Sequence, residues 1–185
     1  MSERTDEQIA ALVQQGDSES FRFIVERYEP KMSRYAKRFL FDSDEAKDLL
    51  QEVFIKAYVH IRSFDIDRKF SPWLYRIAHN EFVNAVKKKK KEKDTISLFY
   101  LDILFPHPIA KETADSEMNR TELKGMLERF LTDISPKYRE PLVLYYFEDM
   151  DYREIAEVLR VPVSTVGVRL QRGKTLLRKM IDEKR

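Results

Sequence analysis

The side chains best suited to contact a polyanion lie in RVPVSTVGVRLQRGKTLLRKM, which spans residues 160–180. Five lysines or arginines follow its proline, and no acidic residue occurs before Asp182. On a helix with 100° per residue, Val166, Leu170 and Leu177 share one face, and the opposite face is polar and basic. Arginine can form paired hydrogen bonds with guanine, and glutamine can do so with adenine. The pattern therefore predicts a helix that could enter a DNA major groove.

A second helix is predicted directly before this segment, because YREIAEVL places Tyr152, Ile155, Ala156 and Leu159 on one face. A tight break containing Pro162 joins the two helices. Together they have the form of a helix-turn-helix, in which the second helix reads the groove. An ordinary solvated surface helix can carry the same charges, so the pattern alone leaves both interpretations open.

A second group of nucleic-acid-binding side chains is predicted between residues 61 and 93, which carry ten basic and four acidic residues. Single-stranded nucleic acid is bound by aromatic stacking platforms beside a basic track, and this segment contains both. Trp73 can also be explained by core packing. The five consecutive lysines Lys87–Lys91 carry more positive charge than is needed to stabilise the C-terminal end of a helix. The run therefore favours phosphate binding.

The composition argues against a catalytic or metal site. The chain of 185 residues has a formal net charge of +2, no cysteine, four glycines and three scattered histidines. The absence of cysteine excludes thiolate metal sites, and the few glycines disfavour glycine-rich phosphate loops. The sequence shows no nucleophile paired with a base. We therefore expect no enzymatic activity, no metal and no cofactor.

The cytoplasm is the expected location of the protein. The N-terminal residues are polar and acidic, unlike a signal peptide. No apolar run approaches the roughly 20 residues that a membrane span needs, so no membrane span is expected.

The hydrophobic pattern predicts α-helices throughout and no strand. Apolar residues recur at three- and four-residue steps in segments that begin near residues 6, 18, 44, 72, 118, 136, 152 and 163. Ser71 and Ser135 each precede a proline and are the predicted N-caps of two of these helices. Pro30 interrupts the second helix and is expected to kink it.

A linker is predicted over residues 93–117, which have no sustained period and contain two prolines. It would join two helical domains, residues 1–92 and 118–185. Its middle, ISLFYLDILF (residues 96–105), is too apolar for a free coil and is expected to dock onto another surface. The predicted fold class is all-α, with two small helical domains of which the C-terminal one is a helix-turn-helix.

The segment DYREIAEVLRVPVSTVGVRLQRGKTLLRKM resembles the promoter-recognition domain of bacterial sigma factors of the sigma-70 family, extracytoplasmic-function (ECF) group. DEAKDLLQEVFIKAYVHIRSF and FSPWLYRIAHNEFVNAVKKKKK resemble the polymerase-binding and DNA-melting regions of the same group. The resemblance covers nearly all of residues 6–181 and is weakest across the linker. Three positions depart from the family: Ser164 replaces the usual glycine, Gly167 stands where a basic residue is common, and Asn84 stands where the family often has aspartate.

The resemblance implies a protein that binds core RNA polymerase and directs promoter-specific initiation, with sigma region 2 in residues 1–92 and region 4 in residues 118–185. The residues implied to bind core polymerase are Asp48, Gln51, Glu52, Ile55 and Lys56. Those implied to recognise and melt the −10 element are Phe64, Arg68, Lys69, Trp73, Arg76, Asn80, Lys87, Lys88, Lys89 and Lys90. Those implied to bind the −35 element are Ser164, Thr165, Val168, Arg169, Gln171, Arg172, Lys174 and Lys179.

The resemblance also implies the partners. Core polymerase would be contacted through the coiled coil of its largest subunit and the flap of its second-largest subunit. Promoter DNA and an anti-sigma factor complete the expected set. On the same basis, a flipped −10 base would lie in a pocket formed by the loop with Phe64 and by Asn80.

Two other functions fit parts of the sequence. An autonomous helix-turn-helix regulator would bind DNA alone, and such proteins usually dimerise; no helix is left over to serve as a dimer interface. A decoy protein that binds polymerase without starting transcription would need the polymerase-binding residues around Asp48. It would not need the Trp73–Asn80 segment.

Overall fold

The computed structural model describes residues 4–38, 43–92 and 133–182, together with the single residues Gly125 and Phe130. Over these ranges the chain forms seven α-helices and no strand. The predicted all-α fold is therefore confirmed.

The chain divides into two compact units, residues 1–93 and 94–185. The predicted linker over residues 93–117, its apolar segment 96–105, and nearly all of the helix predicted from residue 118 lie outside the described residues.

The N-terminal unit contains four helices, α1 Asp6–Gln14, α2 Phe21–Arg38, α3 Ser43–His60 and α4 Phe70–Glu92. Two short 3-10 turns cover Ser18–Ser20 and Ile61–Ser63. The apolar faces of the helices meet in one core, and the side chains without exposed surface include Ile24, Met32, Tyr35, Val53, Ala57, Leu74 and Phe82.

Helix α2 continues past Pro30, which lies on the exposed side, where water can hydrate the carbonyl that its missing N–H leaves unpaired. The kink at Pro30 stays a prediction. The N-cap prediction for Ser71 is wrong, because α4 begins one residue earlier, at Phe70. The backbone N–H of Phe70 donates to the Glu7 carboxylate, which supplies the cap from another helix.

Helix α1 is tied to α2 by one carboxylate. Asp6 accepts a hydrogen bond of 2.7 Å from the hydroxyl of Tyr28 and one of 2.7 Å from the guanidinium of Arg27. Burial, and next the hydrogen bond to Asp6, raise the pKa of Tyr28 above its ordinary value, so the hydroxyl remains a donor. A capping box between Thr5 and Gln8 starts α1.

The C-terminal unit contains α5 Pro136–Tyr146, α6 Tyr152–Leu159 and α7 Val163–Asp182. A capping box between Asp151 and Glu154 starts α6. Helix α6 ends at Arg160, whose φ of 52° lies in the left-handed region and turns the chain towards α7. The predicted N-cap at Ser135 is confirmed by its position, although its side chain makes no capping hydrogen bond.

Helices α5 and α7 approach closely at Gly173. A Cβ atom at this position would lie 2.7 Å from Cδ1 and 3.1 Å from Cγ of Leu142, which has no exposed surface. At Gly167, one and a half turns earlier in α7, a Cβ atom would lie 3.6 Å from the ring of Tyr152, an ordinary contact. The two glycines of this helix thus differ in the space around them.

We expect Gly173→Ala to be less stable than Gly167→Ala by about 1–3 kcal/mol, the cost of overpacking a filled core. Both substitutions gain the same intrinsic helix propensity of roughly 1 kcal/mol, so this gain cancels in the comparison. Denaturant unfolding of the full chain, followed by circular dichroism, measures the difference. Trp73, the single tryptophan, lies in the other unit, so its fluorescence transition should be the same in both variants. Equal stability of the two variants would contradict the close approach at Gly173.

Candidate functional site

The buried face of α4 fixes which residues this helix presents outwards. Leu74, Ala78 and Phe82 are 0% exposed. The opposite face of α4 carries Trp73, Arg76, Asn80 and Lys87. Their spacings of three, four and seven residues place them in one row along the helix. The first three are half-buried and Lys87 is exposed. We call these four residues the outward stripe of α4.

Phe64 lies beneath the loop that precedes α4 rather than on its surface. It is 5% exposed, and its ring centroid is 5.2 Å from that of Phe70 and 5.3 Å from that of Trp73. The Phe64 ring packs edge-on against the Phe70 ring and at a tilt against the Trp73 ring, so little of its surface is accessible to a base. Its DNA contact stays an untested prediction, and the packing favours a supporting role.

The loop over residues 65–69 is exposed along its whole length. It includes two of the predicted DNA-binding cations, Arg68 and Lys69, and Ile66, which is 45% exposed. A local turn shapes the loop, since the carboxylate of Asp65 accepts from the N–H of Asp67 and its carbonyl accepts from the N–H of Arg68. The loop therefore presents side chains beside the first turn of α4.

The amide of Asn80 makes no hydrogen bond to any part of the chain that the structure describes. Asn80 therefore does not cap the 61–70 segment. Gln14 of α1 performs that role, because its amide nitrogen donates to the carbonyls of Ile61 and Phe64, both at 2.8 Å. Asn80 thus keeps a donor and an acceptor, the pair of groups that suits a base edge.

The lysine run lies at the C-terminal end of α4. Lys87 and Lys88 are exposed, and the backbone remains helical through Glu92. The side chains of Lys89 and Lys90 lie outside the described residues. The described part of the run thus continues the outward stripe with exposed positive charge.

The outward face of α3 mixes acidic, amide and apolar side chains. Asp48, Gln51 and Glu52 are exposed, and Ile55 is 56% exposed. Lys56 instead forms an ion pair with Glu81, which links α3 to α4. Of the five residues predicted to bind polymerase, four are therefore presented outwards, and Lys56 is partly engaged within the protein.

Two apolar residues extend this face of α3 beyond the predicted set. Val59 is 64% exposed, and Tyr58 is 44% exposed although its ring lies 5.2 Å from that of Phe21. Exposed apolar side chains among polar ones are typical of a protein interface. The hydrophobic pattern of α3 groups Tyr58 with its apolar stripe, so the exposure of this residue has no signal in the sequence.

The buried stripe of α7 agrees with the prediction. Val166, Leu170 and Leu177 are at most 1% exposed. Ser164 and Lys179 are exposed. The remaining residues predicted to bind the −35 element are half-buried: Thr165, Val168, Arg169, Gln171, Arg172 and Lys174.

Arg172 is distinct among the cations of this face. Its guanidinium makes no hydrogen bond or ion pair within the described ranges. Gly167, where the family often has a basic residue, lies next to the Tyr152 ring at the junction of α6 and α7. The outward surface of α7 thus has an arginine without internal partners among the described residues and lacks a basic side chain at position 167.

The described residues contain no group of three or more His, Cys, Asp or Glu side chains that could hold a metal ion. Among these residues, no helix has both the length and the apolar character needed to cross a membrane.

The sequence analysis missed the contribution of α1 to this region. Glu7 caps α4 and Gln14 binds two carbonyls before the 65–69 loop. Hydrogen bonds from side chains to distant backbone atoms leave no periodic signal in a sequence. The hydrophobic pattern identified α1 as a helix but could not identify these contacts.

Two family models match the chain: "Sigma-70 region 2" over residues 24–92 and "Sigma-70, region 4" over residues 124–177. The ECF RNA polymerase sigma factor SigW of Bacillus subtilis is 36% identical over 179 residues, covering 91% of this chain and 92% of SigW. The chain belongs to the ECF group of the sigma-70 family of RNA polymerase sigma factors. It is an alternative sigma factor that directs promoter-specific transcription.

Solved structures show the same fold. The structure of CnrH in complex with the cytosolic domain of CnrY matches with a TM-score of 0.68 at 23% identity, covering 97% of this chain and 99% of that chain. The structure of the sigma factor RpoE of Bartonella quintana in complex with the anti-sigma factor NepR matches with a TM-score of 0.63 at 23% identity. The match covers 89% of this chain and 98% of that chain.

Proposed function

We propose that the N-terminal unit binds core polymerase and captures the single-stranded −10 element, and that the C-terminal unit binds the −35 element as duplex. The observation that carries this proposal is the outward stripe of α4, in which an aromatic ring, a guanidinium, an unengaged amide and a lysine follow one another on one face. We assign these roles to residues 1–92 and 118–185, joined by a linker over residues 93–117.

Strand opening without a nucleotide cofactor must be driven by the capture of exposed bases. Stacking on an aromatic side chain contributes roughly 1–3 kcal/mol per base. Trp73 is half-buried, with one side supported by Phe64 and Phe70 and the remainder accessible. In this proposal Trp73 stacks on a base, Asn80 reads an unpaired base edge, and Arg76 and the lysine run bind phosphates. Arg68 and Lys69 approach the strand from the loop.

Helix α7 is proposed to enter the major groove of the −35 element. This role is supported by its completely buried inner stripe, which fixes its rotation, and by the polar residues on the other side. Arg172 is suited to a guanine and Gln171 to an adenine. Ser164 and Thr165, in the first turn, lie where a helix N-terminus favours phosphate.

The outward face of α3 is proposed to bind the coiled coil of the largest polymerase subunit, and the C-terminal unit the flap of the second-largest subunit. Mixed charge around Ile55 and Val59 supports the first contact, because such faces combine apolar contact with specificity. The second contact rests on the family alone.

We further propose that the protein works in the cytoplasm, has no catalytic activity of its own and is controlled by an anti-sigma factor. The family supports the absence of catalysis, since sigma factors act as initiation factors. The anti-sigma proposal is supported by a protein of the same fold, the sigma factor RpoE, whose structure was solved in complex with the anti-sigma factor NepR.

Combined substitution of Asp48→Arg and Glu52→Arg should weaken binding to core polymerase about a hundredfold or more, because reversed charge at an interface costs several kcal/mol. Both residues are exposed, so the isolated variant should keep its helical circular dichroism. Titration of core polymerase with labelled full-length protein measures the affinity. The matched control is Glu26→Arg with Glu29→Arg, two exposed acids on α2. Equal affinities of the two double variants would refute this interface.

Arg172→Ala should weaken binding of the full-length protein to −35 duplex by about 1–3 kcal/mol, the contribution of a paired arginine–base contact. Fluorescence anisotropy with a labelled duplex measures the loss. Arg34→Ala removes the same charge from an exposed position on α2 and should have no such effect. An unchanged affinity in Arg172→Ala would remove Arg172 from the DNA-binding surface.

Asn80→Ala should preserve polymerase and −35 binding but lose discrimination between bases at one −10 position, by about 1–3 kcal/mol. The measurement is holoenzyme binding to pre-opened bubble templates that carry each base in turn. Opening is already complete on these templates, so only base reading is tested. Asn84→Ala, which removes an exposed amide one turn further along α4, is the matched control and should keep the wild-type preference. Identical base preference in wild type and Asn80→Ala would show that Asn80 does not read a base.

A further inference from the structure

Helix α1 lies outside the part of the chain that the region 2 family model matches, which begins at residue 24. None of its residues was assigned a contact with DNA or polymerase. Its polar side chains nevertheless form hydrogen bonds to the backbone at both ends of the 65–69 loop. These bonds indicate what α1 does for the DNA-facing surface.

The start of the loop is fixed by Gln14. Its amide nitrogen uses both of its hydrogens, one on the carbonyl of Ile61 and one on the carbonyl of Phe64, each at 2.8 Å. These carbonyls lie at the 3-10 turn that follows α3, where the Ile61 carbonyl also accepts from the backbone N–H of Phe64. Gln14 therefore sets the direction in which the chain leaves the turn.

The end of the loop is fixed by Glu7. Its Oε1 atom accepts a hydrogen bond of 3.0 Å from the N–H of Phe70, the first residue of α4. A carboxylate is favoured at this end of a helix, where the free N–H groups carry partial positive charge. Glu7 therefore fixes where α4 begins.

The separation of the two anchors is set by helix geometry. Glu7 and Gln14 are seven residues apart, which is two turns on one face and about 10 Å along the axis. Helix α1 is itself held to α2 by Asp6, which binds Arg27 and Tyr28. The two ends of the exposed loop are thus attached to one rigid segment.

We infer that Glu7 and Gln14 are positioning residues that hold the 65–69 loop beside Trp73 and thereby set the base preference at the −10 element. The inference rests on the proposed function, in which this loop and the outward stripe of α4 capture the −10 strand. Neither residue contacts DNA. Fixing the loop before binding avoids the entropic cost of ordering it on the strand, so its loss weakens discrimination between bases.

Two pairs of full-length variants, assembled with core polymerase, test the inference on the bubble templates with varied −10 bases. Gln14→Ala removes both hydrogen bonds, and Gln14→Glu keeps the shape but replaces the donor with an acceptor. Each should reduce the preference for the best −10 base about tenfold, the effect of losing one or two net hydrogen bonds. Glu7→Ala should act similarly, and Glu7→Gln, which keeps an oxygen acceptor, should retain most of the preference.

Gln15→Ala is the matched control, because Gln15 is an exposed neighbour of Gln14 whose side chain lacks these bonds. Affinity for core polymerase and for −35 duplex should stay at the wild-type level in every variant. The fluorescence of Trp73, whose ring lies 5.3 Å from that of Phe64, should change in Gln14→Ala and not in Gln15→Ala.

The proposal is overturned if Gln14→Ala and Glu7→Ala both keep the wild-type base preference. It is also overturned if they lose that preference only together with polymerase and −35 binding, as a general folding defect would produce. The proposed function fails separately, if wild-type holoenzyme shows no base preference on the bubble templates. If wild type shows a preference that Asn80→Ala loses and the α1 variants keep, base reading stands and the positioning role is wrong.

Discussion

Complete burial of one helix face is the constraint on which both proposed DNA-binding surfaces depend. Leu74, Ala78 and Phe82 fix the rotation of α4, and Val166, Leu170 and Leu177 fix that of α7. A rotation that exposed one of these side chains would cost about 1.5–3 kcal/mol for each large apolar group. The orientation of the opposite faces is therefore set by the core, and each face includes a side chain without an internal hydrogen bond among the described residues, Asn80 on α4 and Arg172 on α7.

The N-terminal unit combines an exposed loop with a rigid support. Phe64 and Phe70 pack beneath the loop and against one side of Trp73, so the tryptophan is held by the core while part of its ring stays accessible. A loop that orders only on binding would spend part of the binding energy on its own entropy. Anchoring of its ends by α1, together with this aromatic support, gives the loop a defined shape without a ligand and would reduce that cost in the proposed DNA complex.

The sequence predicted the fold class and the faces of α3, α4 and α7, because these depend on helical periodicity, which burial enforces. It did not predict that Phe64 is buried, since a period of 3.6 does not apply to a residue in the turn between two helices. Local capping rules made Ser71 the N-cap of α4, whereas the helix begins at Phe70, whose N–H is capped by Glu7, 63 residues before Phe70. Long-range hydrogen bonds of this kind, like those of Gln14, depend on the tertiary structure and have no local signature. The family resemblance implied a role for Asn80 beside the loop, but only the structure shows that Gln14 binds the carbonyls of Ile61 and Phe64.

The central claim is that one chain reads two separate DNA elements, one as duplex and one as single strand, and starts transcription only together with polymerase. Run-off transcription by the purified protein with core polymerase, from a template library randomised across the promoter region, tests this most directly. The account predicts transcripts that depend on the protein and whose templates are enriched in two separate blocks, an upstream block bound as duplex and a block within the melted region. Binding of duplex DNA by the protein alone with no transcripts, or binding of core polymerase with no enrichment in either block, would contradict it.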